Sequence, residues 1–242
     1  MKAGEAQAIF RGLPMGLLDE IVPGTAMILA PHADDESLGC GGLIAASCAA
    51  GRPPLVVIVT DGAGSHPGSP TWTAARLRAR REAEAEAATC HLGLPPARLA
   101  FLRLPDTRSP HAGAGFETAV ETLSSLAGEH GCDTILAPWS HDPHCDHESV
   151  WKMGLALSRR EQMRLLAYPV WGWLLAPEIE LDTGVLTGWR FDVTPFQSRK
   201  ALAIQAHESQ YGELIADDPN GFRLPNELLE VFASPYEVFL GP

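Results

Sequence analysis

The chain has 242 residues, 45% of them hydrophobic, and a formal net charge of −12. That length and apolar content suit one large domain spanning residues 1–242, and a mean hydropathy of −0.01 suits a soluble globular protein. The acidic balance argues against a nucleic-acid partner, because binding a phosphate backbone needs a basic surface. The basic cluster Arg76, Arg78, Arg80 and Arg81 offers none, since Glu82, Glu84 and Glu86 answer it at helical spacing. Five cysteines form no Cys-x-x-Cys pair and leave one over, which fits a reducing compartment and predicts a cytoplasmic location. The first 25 residues show no signal-peptide pattern, and no apolar run reaches the length of a membrane span.

In chain order, Thr25 to Ala30 reads as a buried strand and is followed by a helix over about 36–50. Leu55 to Thr60 reads as a second strand, rich in β-branched residues, followed by a Gly/Pro/Ser loop at 62–70 and a helix over about 73–92. Ala100 to Leu104 and Thr134 to Ala137 are the third and fourth strands, with helices over about 115–129 and 147–158 after them. Leu165 to Trp173 is read as a further strand and Trp189 to Val193 as an edge strand. Pro195 then opens a helix over about 196–208, and a loop occupies 216–225. Strands alternating with helices predict an α/β fold: a doubly wound, mostly parallel sheet with helices on both faces. In such sheets ligands sit beyond the carboxyl ends of the strands.

Two motifs fall at such strand ends. His32-Ala33-Asp34-Asp35-Glu36 directly follows the first strand, and His144-Cys145-Asp146-His147 follows the fourth. Three protein ligands with an open position are the usual set for a catalytic zinc, and His32, Asp35 and His147 supply two imidazoles and a carboxylate. Asp34 is then a spare acid able to take a proton, and His144 a spare imidazole for an oxyanion or a leaving amine, with Asp146 holding its ring. Taken alone, an Asp-Asp-Glu triplet is a common helix N-cap and a His-x-x-His pair is common on helix surfaces. It is their joint placement at two strand ends that points to a site. Cys145 reads as a bystander among harder donors.

The run from Pro31 to Gly42 (PHADDESLGCGG) resembles the signature of the LmbE/PIG-L family of zinc-dependent N-deacetylases, with Ala33 where the family usually has proline. His144-Cys145-Asp146-His147 is similar to the family's second, His-x-Asp-His motif. Further matches run in order through Thr60-Asp61-Gly62, Arg81, Glu84, Leu104-Pro105-Asp106, Lys200, His207, Ser209 and Gln210, so the likeness covers about residues 25–210. The resemblance implies hydrolysis of the acetamide of an N-acetylated amino-sugar or glycoconjugate. His32, Asp35 and His147 would bind Zn²⁺ (Fe²⁺ suits the same ligands), with Asp34 as general base and His144 on the oxyanion. It further implies that Arg81 and Asp106 contact sugar hydroxyls. His207 and Gln210 are candidates for outer support, Trp171 and Trp173 for a stacking platform, and His66 for a lid residue. The oligomeric state stays open, a homo-oligomer included.

Competing readings exist. Gly39, Gly41 and Gly42 after a strand, with Asp61 beyond, imitate a dinucleotide fingerprint, but Ile44 occupies its last glycine position. A Gly-x-Ser-x-Gly elbow is absent from the sequence, which disfavours a serine hydrolase. An amidase for thiol conjugates of amino-sugars, and a non-catalytic metal- or sugar-binding module, remain open at this level.

Overall fold

A computed structural model describes residues 1–212 and 214–241. The chain opens with helices α1 (Ala3–Gly12) and α2 (Leu18–Ile21). It then alternates β1 (Ala26–Ala30), α3 (Asp35–Ala49), β2 (Leu55–Thr60), α4 (Ala74–Leu92), β3 (Leu99–Leu104), α5 (Ala114–His130), β4 (Thr134–Pro138), α6 (Cys145–Glu161) and β5 (Arg164–Tyr168). The last part holds β6 (Gly188–Asp192), α7 (Gln197–Ala206), α8 (Glu208–Tyr211), α9 (Asn226–Phe232) and β7 (Tyr236–Leu240). The sheet order is β3-β2-β1-β4-β5-β7-β6, parallel through β5 and antiparallel where β7 and β6 close it. This is the expected α/β architecture, with the chain running outward from β1 to β3 and then returning to β4 on β1's other side. β1 and β4 therefore flank the switch point, where adjacent connections leave toward opposite faces and a crevice opens.

Period-two alternation places the strand side chains. Ile28, Ala30, Val56, Ile58, Leu136 and Leu166 face one core, packed by α3, α4 and α7. Met27, Leu29, Val57, Val59, Ile135 and Ala137 face the other, packed by α5 and α6. A third cluster forms where Phe10 of α1 meets Trp139 and Trp173, each edge-on at 5.1 Å between ring centroids. α1 and β7 have no counterpart among the elements predicted from sequence. β7 inserts antiparallel between β5 and β6, and a short apolar run alone does not reveal such partners.

The expected strand over 165–173 ends at Tyr168, and Trp171–Leu174 form a 3₁₀ turn. Pro169 lacks an amide donor, and the Asp142 carboxylate captures the next three amides: Val170 at 2.9 Å, Trp171 at 3.2 Å and Gly172 at 2.7 Å. The chain is turned by a side chain rather than by a sheet neighbour.

The glycines of α3 have a packing role rather than a dinucleotide role. A Cβ on Gly39 would lie 2.3 Å from the Tyr168 ring, and one on Gly42 would lie 2.1 Å from Val193. Close approach lets Tyr168 donate its hydroxyl to Leu29 O at 2.7 Å. It also lets Glu237 of β7 accept from the Gly42 and Leu43 amides at 2.7 and 2.9 Å. Lys200 of α7 completes this buried node, with Nζ 2.7 Å from Glu237. Removing one member of a buried, hydrogen-bonded pair strands the other charge. Glu237→Ala is expected to destabilise the fold by about 3–5 kcal/mol, and the double change Glu237→Leu with Lys200→Met by less than the sum of the singles. Urea unfolding of Glu237→Ala, of the double variant and of its two singles checks this.

Candidate metal centre and its cavity

β1 and β4 deliver the two motifs to the switch point. His32 sits two residues beyond β1, and α3 begins at Asp35, so the helix start and the turn before it carry the first set. After β4 a loop leads to His144, which caps α6: its Nδ1 accepts the Asp146 amide at 3.2 Å. His147 then falls in the first turn, buried, with its ring between Asp35 and Asp142.

Asp35 lies between the two histidines. Its Oδ2 accepts from the His32 amide at 2.9 Å and stands 3.2 Å from His32 Nδ1 and 3.3 Å from His147 Nε2. The last contact is out of hydrogen-bonding alignment, so His147 Nε2 is buried with no hydrogen-bond partner among the described residues. An orphaned imidazole nitrogen beside a carboxylate and a second imidazole fits a divalent cation. So does the rear of each ring. His147 Nδ1 meets Asp142 Oδ2 at 3.0 Å, and His32 Nε2 meets Asp146 Oδ2 at 3.2 Å and Asp106 Oδ1 at 3.4 Å. Carboxylates behind ligating histidines fix tautomer and orientation. The ligand atoms of His32, His144 and His147 all lie within 4.8 Å of one another, as do those of His32, Asp106 and Asp146.

The electrostatics agree with that fit. Burial works against charge at Asp35, yet the neighbouring His147 and His32 hold it well below the usual carboxylate range. Burial likewise opposes protonation of His147, but the Asp35 and Asp142 carboxylates lift it to about 9. His32 is also raised well above its ordinary value, against burial, by Asp106, Asp146 and Asp35. The histidines thus gather protons to balance buried acids, a balance that a dication supplies instead.

The other predicted residues fall into place around this core. Asp34 is buried, and burial lifts its carboxyl to about 6 against the pull of Arg81. Arg81 is a buried residue of α4, not a surface one: Nη2 donates to Ala33 O at 3.0 Å and lies 3.5 Å from Asp34 Oδ2. His144 is half-exposed at the cavity mouth, and burial, with His32 and His147 nearby, pushes it down to about 4. Since Nδ1 is occupied as an acceptor, neutral His144 carries its proton on Nε2. Asp146 was expected beneath His144; the structure puts its carboxylate 4.0 Å from that ring and against His32 instead, with the Thr107 and Ser109 amides donating at 2.7 and 3.0 Å. The reason is the cap, which turns the Asp146 backbone, not its side chain, toward His144.

A cavity of about 360 Å³ opens over these groups, and His32, Asp34, Asp35, Arg81, Asp106 and His144 line it. Trp171, Phe222, Leu224, Gln210 and Ser65 also contribute to its lining. Trp173 instead packs on Phe10. His66 is buried beside Gly221, where a Cβ would lie 2.1 Å from its ring, and it is not a lining residue of the cavity. His207 is buried too, 3.0 Å from Glu36 and 3.2 Å from Ser37. Sequence reasoning missed Asp142, whose only signal was its place five residues before His147, and Phe222, which lies in a loop without periodicity.

Residues 27–158 match the family model described as PIG-L, GlcNAc-PI de-N-acetylase. That stretch is more than half of the chain, which belongs to this family. The chain is similar to the 2'-N-acetylparomamine deacetylase of Streptomyces fradiae, 32% identical over 142 residues that make up 54% of this chain and 51% of the relative. It thus spans about half the length of that relative. In fold it is similar to the N,N'-diacetylchitobiose deacetylase of Pyrococcus horikoshii, with a TM-score of 0.61, 22% identity, and coverage of 79% of this chain and 72% of the other. It is also similar to an A40926 pseudoaglycone deacetylase, with a TM-score of 0.66, 19% identity, and coverage of 90% and 96%.

The Asp142 lock predicts that Asp142→Ala will lower zinc affinity by about 10–100-fold, the usual cost of losing a carboxylate behind a ligating histidine. Competition titration against a chromogenic chelator checks this, and unchanged affinity would contradict the assignment.

Proposed function

We propose that this protein is a metal-dependent N-deacetylase that hydrolyses the acetamide of an N-acetylated amino-sugar or its conjugate. The observation that carries the reading is Asp35 Oδ2 standing within 3.3 Å of both His32 Nδ1 and His147 Nε2, beside a cavity that Asp34 and His144 line. His32, Asp35 and His147 would hold the ion, and zinc is the default, with ferrous iron suited to the same donors. When bound, the cation supplies Lewis acidity and lowers the pKa of water toward about 7.

The chain's own residues do the rest. Asp34, buried and lifted to about 6, takes the proton of the attacking water and returns it to the departing amine nitrogen. The water oxygen becomes the second oxygen of acetate, the C–N bond breaks, and the free amine leaves. His144 Nε2–H donates to the oxygen that carries charge in the tetrahedral state. Arg81 pins Asp34 from behind through its contacts to Ala33 O and Gly62 O, at 3.0 and 3.4 Å. Arg81 and Asp106 both line the cavity, which supports a role for them in contacting sugar hydroxyls.

Among the described residues, no helix is long and apolar enough to cross a membrane. The five thiols are free, Cys90 and Cys145 exposed, and on that ground we place the enzyme in the reducing cytoplasm.

Acetate release from a panel of N-acetylated amino-sugars, with protein as purified, chelated and zinc- or iron-restored, tests the reaction. Turnover should follow the metal. Asp34→Asn should lose about 10²–10⁴-fold in kcat with metal retained, whereas His147→Ala should lose metal and turnover together. Full turnover by chelated, metal-free protein would overturn the reading.

A further inference from the structure

Asp34 stands at the N-cap of α3 without acting as a cap. An aspartate there normally turns its carboxylate onto the amides of the first turn. Asp34 makes no side-chain cap, and its ψ of −31° departs from the extended geometry usual at that position. Its carbonyl oxygen accepts the Ser37 and Leu38 amides instead, at 3.0 and 2.9 Å. The carboxylate is left to line the cavity.

Glu36 holds this backbone in place. Its Oε2 accepts the Asp34 amide at 3.0 Å, an amide shared with His32 O at 3.0 Å. Its Oε1 accepts the Ser37 hydroxyl at 2.6 Å and lies 3.0 Å from His207 Nε2. A hydroxyl has one proton, and Ser37 has given it to Glu36, so toward His207, 3.2 Å away, its oxygen can only accept. His207 Nε2 thus faces two acceptors and carries a proton. Both Glu36 and His207 are fully buried, and His207 Nδ1 has no hydrogen-bond partner among the described residues. The ring's hydrogen bonds go to Glu36 and Ser37 alone among those residues. Burial opposes a charge on this ring, and the Glu36 carboxylate overcomes it, raising the ring above its ordinary value.

We infer that His207 is a positioning residue for Asp34, acting through Glu36 to keep the Asp34 carboxylate off the helix cap and in the cavity. The inference rests on the reading of Asp34 as general base and deepens it. A glutamate that reaches back to an N-cap amide is one half of a capping box. Here that half is present while the N-cap side chain is released for other work. The donor that fixes the glutamate comes from the junction of α7 and α8, 171 residues along the chain. Without it, Glu36 is a buried carboxylate short of a hydrogen bond, and turning toward another donor releases the Asp34 amide. Asp34 is then free to cap α3 as aspartates ordinarily do, with its carboxylate withdrawn from the water it deprotonates.

The test compares His207→Leu with His207→Gln, whose amide nitrogen reaches the place of Nε2 on the ring. His207→Asn, too short to reach Glu36, replaces the leucine variant should that one fail to fold. Zinc affinity, acetate release from N-acetylglucosamine and the Asp34 amide proton resonance of isotopically labelled, zinc-loaded protein are measured for each. His207→Leu should lower kcat about 10²-fold, the size expected when a reacting group is misplaced by about 1 Å. KM and zinc affinity should stay at their wild-type values, and His207→Gln should recover most of the lost kcat. The Asp34 amide proton, downfield against a carboxylate in wild type and His207→Gln, should move upfield in His207→Leu. An unmoved resonance with unchanged kcat would overturn the inference. So would a loss of zinc affinity and a rise in KM that glutamine does not rescue, the mark of a merely structural residue. A moved resonance without acetate release from the wild type would count against the proposed reaction and leave the positioning standing. Acetate release with a kcat independent of His207 would do the reverse.

Discussion

One buried carboxylate ties the site to its walls. Asp142 receives the amides of Val170, Trp171 and Gly172 and, from the same oxygens, holds His147 Nδ1. The turn that ends β5 and brings Trp171 to the cavity is thus fastened to the residue that orients a ligating imidazole. Asp146 does the same on the other side, joining the Thr107 and Ser109 amides to His32. Each histidine is anchored to a loop that follows another strand, β5 for His147 and β3 for His32. Displacing either loop would tilt a ring, and displacing a ring would strip amides of their acceptor. Such rigidity is what a metal centre needs, because angular error in a ligand costs affinity directly.

The same arrangement concentrates negative charge. Asp34, Asp35, Asp106, Asp142 and Asp146 are all buried around one point. Buried carboxylates without compensation are costly. Backbone amides absorb much of that cost at Asp142 and Asp146, and Arg81 part of it at Asp34. The remainder falls on His32 and His147, which the acids drive toward their protonated forms. A divalent cation relieves the cluster more completely than two protons do and frees both rings to act as neutral ligands.

Much of this was legible in the sequence for a definite reason. Buried parallel strands write continuous apolar runs, so β1, β2 and β4 and their carboxyl ends could be located, and with them the two motifs. What sequence could not convey was every contact decided by a side chain reaching across the fold. Asp142 looks like one more acid in a loop until its amides and His147 are seen together. Asp146 reads as a partner for His144, two residues away, but helix capping turns its backbone to that ring and its carboxylate to His32. The run through Trp173 reads as strand because nothing local shows that Asp142 bends it. β7 and α1 were missed because short segments take their meaning from neighbours distant in the chain. Arg81 reads as surface charge among its glutamates, whereas the close approach of Gly62 lets it lie buried beneath Asp34.

On the proposed reading His32, Asp35 and His147 form one oxygen- and nitrogen-donor metal centre, with Cys145 uninvolved. X-ray absorption spectroscopy of zinc-loaded protein should then show a first shell of two imidazole nitrogens and carboxylate or solvent oxygens at about 2.0–2.2 Å. A sulfur scatterer at about 2.3 Å, or a shell containing a single imidazole, would contradict it.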